Sequence, residues 1–152
     1  MTTILIDYMN ATAYYRELKR YKYQLSEDFM YLTSIKGFVV DLDLIKLDSD
    51  GALTILKYYA WDGASGPTID SPASMRASLV HDALYQLMRL EKVTQDKVIV
   101  ADKLFRKMLL DDGMGAFRAW YWYTGLRLAN GRAARPEPYA SFIVLQAPEV
   151  ED

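Results

Sequence analysis

Val40, Leu42 and Leu44 alternate with Asp41, Asp43 and Ile45, a period near two that predicts a half-buried strand over 40–45. Asp50-Gly51 follows, a pair that tolerates positive φ and so favours a hairpin turn. Leu53, Ile55 and Lys57 then alternate with Thr54, Leu56 and Tyr58 in a returning strand. From Ser74 the period becomes helical, with Val80, Leu84, Leu87 and Met88 recurring mostly at three- and four-residue steps. Thr94 is positioned to cap a second helix through Val98, Ala101, Phe105, Met108 and Leu109, stopped by Gly113. A third, aromatic helix holds Phe117, Trp120, Tyr121 and Leu126 and ends at Asn130-Gly131. Neither period holds for long over residues 4–35, where the expectation is short strands with a helical turn near Tyr14 to Arg20. Beyond Arg132 the prolines 136, 138 and 148 predict an extended tail in which Ser141 to Gln146 can add one strand.

These elements make an α+β fold, an N-terminal β-meander with a hairpin packed on a three-helix core. At 152 residues the chain has the length of a single domain. It divides into a β-rich part at 1–60, a helical core at 61–131 and a tail at 132–152. Composition is that of a folded globular protein, 51% hydrophobic and 25% charged. A net charge of −2 gives no surface-wide attraction for nucleic acid, so none is expected as a partner. Arg16, Lys19, Arg20 and Lys22, interleaved with tyrosines, form a local basic cluster, which reads first as a solvated face and second as a grip on a polyanion or anionic lipid. The absence of cysteine excludes disulfides and thiolate metal sites and fits a reducing compartment. Met1 to Asp7 lack the basic and apolar segments of a secretory signal, and no stretch approaches the roughly 20 apolar residues of a membrane span. Folding where the chain is translated is the expectation.

The chemistry gathers in the helical half. His81, the single histidine, is followed by Asp82, with Tyr85 one turn on. His81 and Tyr85 share a helix face, while His81 and Asp82 point about 100° apart and so serve neighbouring subsites. Asp102 lies 21 residues beyond His81 and faces it if the two helices pack antiparallel across a turn near Lys92 to Gln95. A carboxylate on one imidazole nitrogen fixes the tautomer and raises the basicity of the other, which makes a general base for water without a serine or cysteine. Asp82 is then free for a cation, and oxygen donors favour calcium or magnesium. The loop Trp61-Asp62-Gly63-Ala64-Ser65-Gly66-Pro67 adds a carboxylate and exposed carbonyls. Each piece alone has an ordinary reading: a surface His-Asp pair, a half-buried tyrosine, a salt-bridging aspartate, a turn. Their joint occurrence raises the functional one. Asp41, Asp43, Asp48 and Asp50 lack the spacing of a calcium loop and read as a solvated strand face.

The same loop, the helix segment Ala77 to Tyr85 and Ala101-Asp102-Lys103-Leu104-Phe105 resemble an uncharacterised family common in bacteriophages and prophages. That family's pattern is an Asp-x-Ala-Ser-x-Pro loop, a His-Asp-x-Leu-Tyr helix and an Ala-Asp-x-x-Phe helix. The order also resembles secreted phospholipases A2, which carry a calcium loop, a His-Asp-x-x-Tyr helix and an Asp-x-x-Phe helix. The resemblance implies a phospholipase A2-like helical core and a Ca²⁺-dependent lipid-ester hydrolase. His81 is then the base, Asp102 its orienting partner and Tyr85 their support, while Asp62, Gly63 and Asp82 hold Ca²⁺. A phospholipid or membrane surface is the implied partner, and the host cytoplasm the implied location. The enzymes staple their calcium loop to the first helix through cysteines; Ala64 and Ser78 stand at the matching positions. The rival expectation is a non-catalytic virion or host-interaction protein that reuses the fold, with virion proteins as partners.

Overall fold

A computed structural model of the chain describes residues 13, 15–17, 22–63 and 71–136. Among the described residues the fold is α+β, seven short antiparallel strands in two sheets followed by three helices. One sheet orders β1 (Tyr15–Glu17), β2 (Tyr23–Leu25) and β7 (Ala60–Trp61) as β1-β2-β7. The other holds β3 (Phe29–Leu32), β4 (Val40–Asp41), β5 (Ile45–Leu47) and β6 (Ala52–Ile55) in the order β3-β6-β5-β4. Strands β4, β5 and β6 form the expected meander, and β3 closes it by pairing Phe29 with Ile55 and Tyr31 with Leu53. Phe29, Tyr31, Val40, Ile45, Leu47, Leu53 and Ile55 are all buried. Alternation thus supplies the inner face of the second sheet.

Two local expectations are corrected. The single strand over 40–45 is in fact the end of β4, a turn closed by Leu42 N–H to the Ile45 carbonyl at 3.0 Å, and the start of β5. The turn resets the inward phase, so Leu44 is exposed while Ile45 and Leu47 are buried. Residues 15–17 form strand β1, paired with β2, where a helical turn was expected. Two further expectations, residues 64–67 of the loop and the strand over 141–146, lie outside the described residues, as do the side chains of Arg16, Lys19 and Arg20.

The hairpin of β5 and β6 turns where Asp50-Gly51 predicts. Gly51 has φ 90, and a Cβ there would sit 2.5 Å from the Thr33 carbonyl oxygen. The returning strand ends at Ile55, so Lys57 falls outside it.

Helix α1 (Pro72–Arg89) begins with proline at its first position, and Ser71 N–H donates to Ser74 Oγ at 3.1 Å. It ends through Glu91, a non-glycine residue at φ 58. Thr94 precedes a 3₁₀ turn at Gln95–Lys97, which leads directly into α2 (Val98–Asp111). Helix α3 (Ala116–Ala129) ends on Asn130 and Gly131, both left-handed. A Cβ on Gly131 would lie 2.6 Å from Val98 Cγ1, so a close approach as well as the positive φ requires glycine here. The segment after it is not fully extended: a 3₁₀ turn at Arg132–Ala134 is pinned by Arg89 to the Ala133 carbonyl at 2.8 Å and Gln95 to the Ala134 carbonyl at 2.7 Å.

Asp102 of α2 meets Tyr85 of α1 while Asp112 meets Arg76, so the two helices run antiparallel. One hydrophobic cluster joins both sheets to the helices. No helix among the described residues is long and apolar enough to cross a membrane.

Candidate functional site

His81 and Tyr85 project from one face of α1, four residues apart, with ring centroids 4.0 Å from each other. Phe105 of α2 also packs against the imidazole, at 5.1 Å between centroids, and itself stacks on Trp122 of α3 at 6.0 Å. The ring therefore has little freedom to turn. Its Nε2 lies 2.8 Å from Asp102 Oδ1, and the Tyr85 hydroxyl donates to that same oxygen at 2.6 Å. The other oxygen, Oδ2, accepts from Arg127 of α3 at 2.8 Å. Three helices thus converge on one carboxylate, which is wholly buried.

Burial alone would push the Asp102 carboxyl up, but hydrogen bonds from His81, Tyr85 and Arg127 outweigh it and hold the group below the usual carboxylate range. Tyr85 is displaced the other way, by burial first and then by its bond to Asp102, so it keeps its proton and remains a donor. A carboxylate that can only accept fixes the tautomer: the imidazole donates through Nε2, leaving the lone pair on Nδ1. Nδ1 has no hydrogen-bond partner among the described residues. The side chain keeps 7% of its surface open, enough for a small molecule to touch one edge of the ring.

Asp82 stands next along α1 and faces a different environment. It is half-buried, and its carboxyl is pushed up to about 7, chiefly by burial, with Arg89 opposing and Asp62 adding to the rise. It makes no hydrogen bond or ion pair among the described residues. Tyr59, buried beside it, donates to Gln86 Oε1 at 3.1 Å, and burial followed by the charge of Asp82 raises its phenol. Asp62 is exposed, just past β7, and Gly63 follows at φ 78. The entry to this loop is tied to α1 by Trp61 Nε1 donating to buried Ser78 Oγ at 3.1 Å. Ser78 is one of the two positions where the resemblance places a staple.

The structure therefore brings together His81, Tyr85 and Asp102 in direct contact, and Asp62 and Asp82 within electrostatic reach. It does not gather three acidic or imidazole metal donors in one place among the described residues. The donors that are present fit a hard cation: an unpartnered, half-buried carboxylate whose ionisation is disfavoured is relieved by a divalent ion beside it. Arg127 was missed by sequence reasoning, because only the packing of α3 brings it to Asp102. Tyr59 and Gln86 were missed for the same reason.

The family described as proteins of unknown function, DUF1353, matches residues 38–126, more than half of the chain. The chain belongs to this family. The DUF1353 span contains His81, Asp82, Tyr85, Asp102, Asp62 and Gly63, and stops one residue short of Arg127. No curated protein and no solved structure matches the chain.

Proposed function

We propose that this DUF1353 protein is a Ca²⁺-dependent hydrolase of lipid carboxylic esters, of phospholipase A2 type, encoded by a phage or prophage. The observation that carries the reading is the shared oxygen: Asp102 Oδ1 takes both His81 Nε2 and the Tyr85 hydroxyl, so the imidazole is held with Nδ1 as its available base. The motif order along the chain supports the same class, as does the absence of any need for a protein nucleophile.

In this reading Nδ1 removes a proton from a water molecule as the water oxygen attacks the ester carbonyl carbon. Buried, anionic Asp102 stabilises the imidazolium so formed, and Tyr85 and Arg127 keep that carboxylate ionised and in plane. The imidazolium returns the proton to the departing alkoxide as the ester C–O bond breaks, giving a fatty acid and an alcohol. Asp62 and Asp82 side chains and the Gly63 carbonyl would hold Ca²⁺, which when bound supplies Lewis-acid polarisation of the ester carbonyl. The aromatic shell of Tyr85, Phe105 and Trp122 keeps bulk water from the Nε2 side.

Fatty-acid release from dispersed phospholipid, with calcium or with excess chelator, tests the proposal. Release that needs calcium supports it, and no release under either condition refutes it. The rival, a non-catalytic virion or host-interaction protein, draws support from the exposed aromatic face of α3. Recovery at stoichiometric copy number in purified particles, with no effect of chelation, favours that rival.

A further inference from the structure

Helix α3 carries large apolar side chains on two opposite sides. At 100° per residue, Ala119, Trp122 and Leu126 point to one side, where Ala119 and Trp122 are buried and Leu126 is partly so. Phe117, Trp120, Tyr121 and Leu128 fall within an arc of about 100° on the opposite side. They are 77%, 48%, 55% and 81% exposed, so this second apolar stripe is bare. Phe117 and Trp120 touch each other, at 5.9 Å between centroids, and both remain exposed. A surface helix ordinarily turns polar side chains, not aromatics, to solvent. This one offers large aromatics to solvent, which marks a face with a partner.

Charge narrows the partner. From Gly113 to Pro136 the chain carries Arg118, Arg127, Arg132 and Arg135 and no acid, although the whole protein is net negative at −2. On the helix, Arg118 and Arg127 flank the bare stripe on either side. Arg127 is held by Asp102, whereas Arg118, Arg132 and Arg135 are exposed and have no carboxylate partner among the described residues. An aromatic stripe edged by arginines matches an interface of acyl chains below and anionic head groups at the edge.

We infer that α3 docks the protein on an anionic phospholipid surface, with Phe117, Trp120, Tyr121 and Leu128 entering the head-group layer and Arg118 on a lipid phosphate. The choice of lipid over another anionic surface rests on the ester-hydrolase reading of the His81 site. Arg127 of the same helix contacts Asp102 directly, so the docking helix also carries a positioning residue of that site.

The test uses the full chain in chelator, so that neither calcium nor turnover contributes, and sedimentation with phosphatidylcholine vesicles with or without phosphatidylglycerol. Binding is expected to be roughly fivefold tighter with phosphatidylglycerol, the worth of about one arginine at the surface. A Phe117→Ser, Trp120→Ser double variant, at exposed positions, is expected to remove most of it. Trp61 and Trp122 are buried, so a blue shift in tryptophan emission on adding vesicles reports Trp120. Three results would overturn the inference: no dependence on phosphatidylglycerol, binding unaltered by the double variant, or a dimer that this variant dissociates. The last would make a second copy the occupant. Vesicle binding that persists in a protein releasing no fatty acid refutes the hydrolase reading while leaving the docking face intact.

Discussion

The hydroxyl of Tyr85 and the carboxylate of Asp102 meet at 2.6 Å across the junction of two antiparallel helices, on the oxygen that also holds His81. Tyr85→Phe removes one donor from a buried anion and keeps the ring. It is expected to cost about 1–3 kcal/mol by the usual worth of a hydrogen bond to a charged group. Hydrolysis should slow by about tenfold to a hundredfold, the scale typical of outer supporting contacts. Urea unfolding and initial rates on the same preparation check both numbers.

Arg127→Gln leaves Oδ2 of a wholly buried aspartate with a weaker partner. The guanidinium is 29% exposed, so the loss should be nearer to about 2 kcal/mol than to the larger figures for fully buried pairs. The rate should fall tenfold or more, roughly, with little change in KM, because the residue reaches the substrate only through Asp102. Arg127→Lys, which keeps the charge without the fork, should recover part of it. A kcat indistinguishable from wild type in the glutamine variant would show that Oδ2 needs no charged partner.

The raised carboxyl of Asp82 makes a signed prediction in pH. The unfolded chain loses this proton near 3.8, and the folded protein keeps it up to about 7. Between those values the native state binds more protons, so its contribution to stability is full below the window and declines as pH rises through it. Metal-free Asp82→Asn should therefore be more stable than wild type at pH 8 by about 1–3 kcal/mol, with the difference gone at pH 3.5. Calcium affinity should run the other way, rising as pH increases through about 7 and the wild-type carboxylate ionises. Thermal melts and calcium titrations across that range read both trends, and an affinity flat in pH would remove Asp82 from the cation site.

Gly131→Ala places a methyl group 2.6 Å from Val98 Cγ1 at a residue with φ 67. The combined clash and backbone strain should destabilise the protein by about 1–3 kcal/mol. A companion Val98→Ala substitution relieves only the clash, so partial recovery in the double variant is the expected melt.

Helix α1 and the partnership of His81 with Asp102 were legible in the sequence, because a helical period fixes which residues share a face and the turn between helices is short. The turn at 42–45 was not, since Leu42 and Leu44 continue an alternation that the backbone abandons when Leu42 N–H bonds to Ile45. Nor was strand β1, whose pairing with β2 is a tertiary choice over a weak local pattern. Trp120 and Trp122 show a different limit. Their two-residue spacing puts them on different sides of α3, yet only packing decides that Trp122 is buried and Trp120 is bare. Arg127 carried no signal in the sequence, because only the packing of α3 brings it to Asp102.

The central claim is that His81 takes the proton from water. Its most direct test is the turnover rate of fatty-acid release at saturating calcium, for wild type and for His81→Gln confirmed as folded by circular dichroism. The rate should fall by at least about a hundredfold, the lower bound for a lost general base. Equal rates in the two proteins would contradict the account, whatever the metal and lipid dependence.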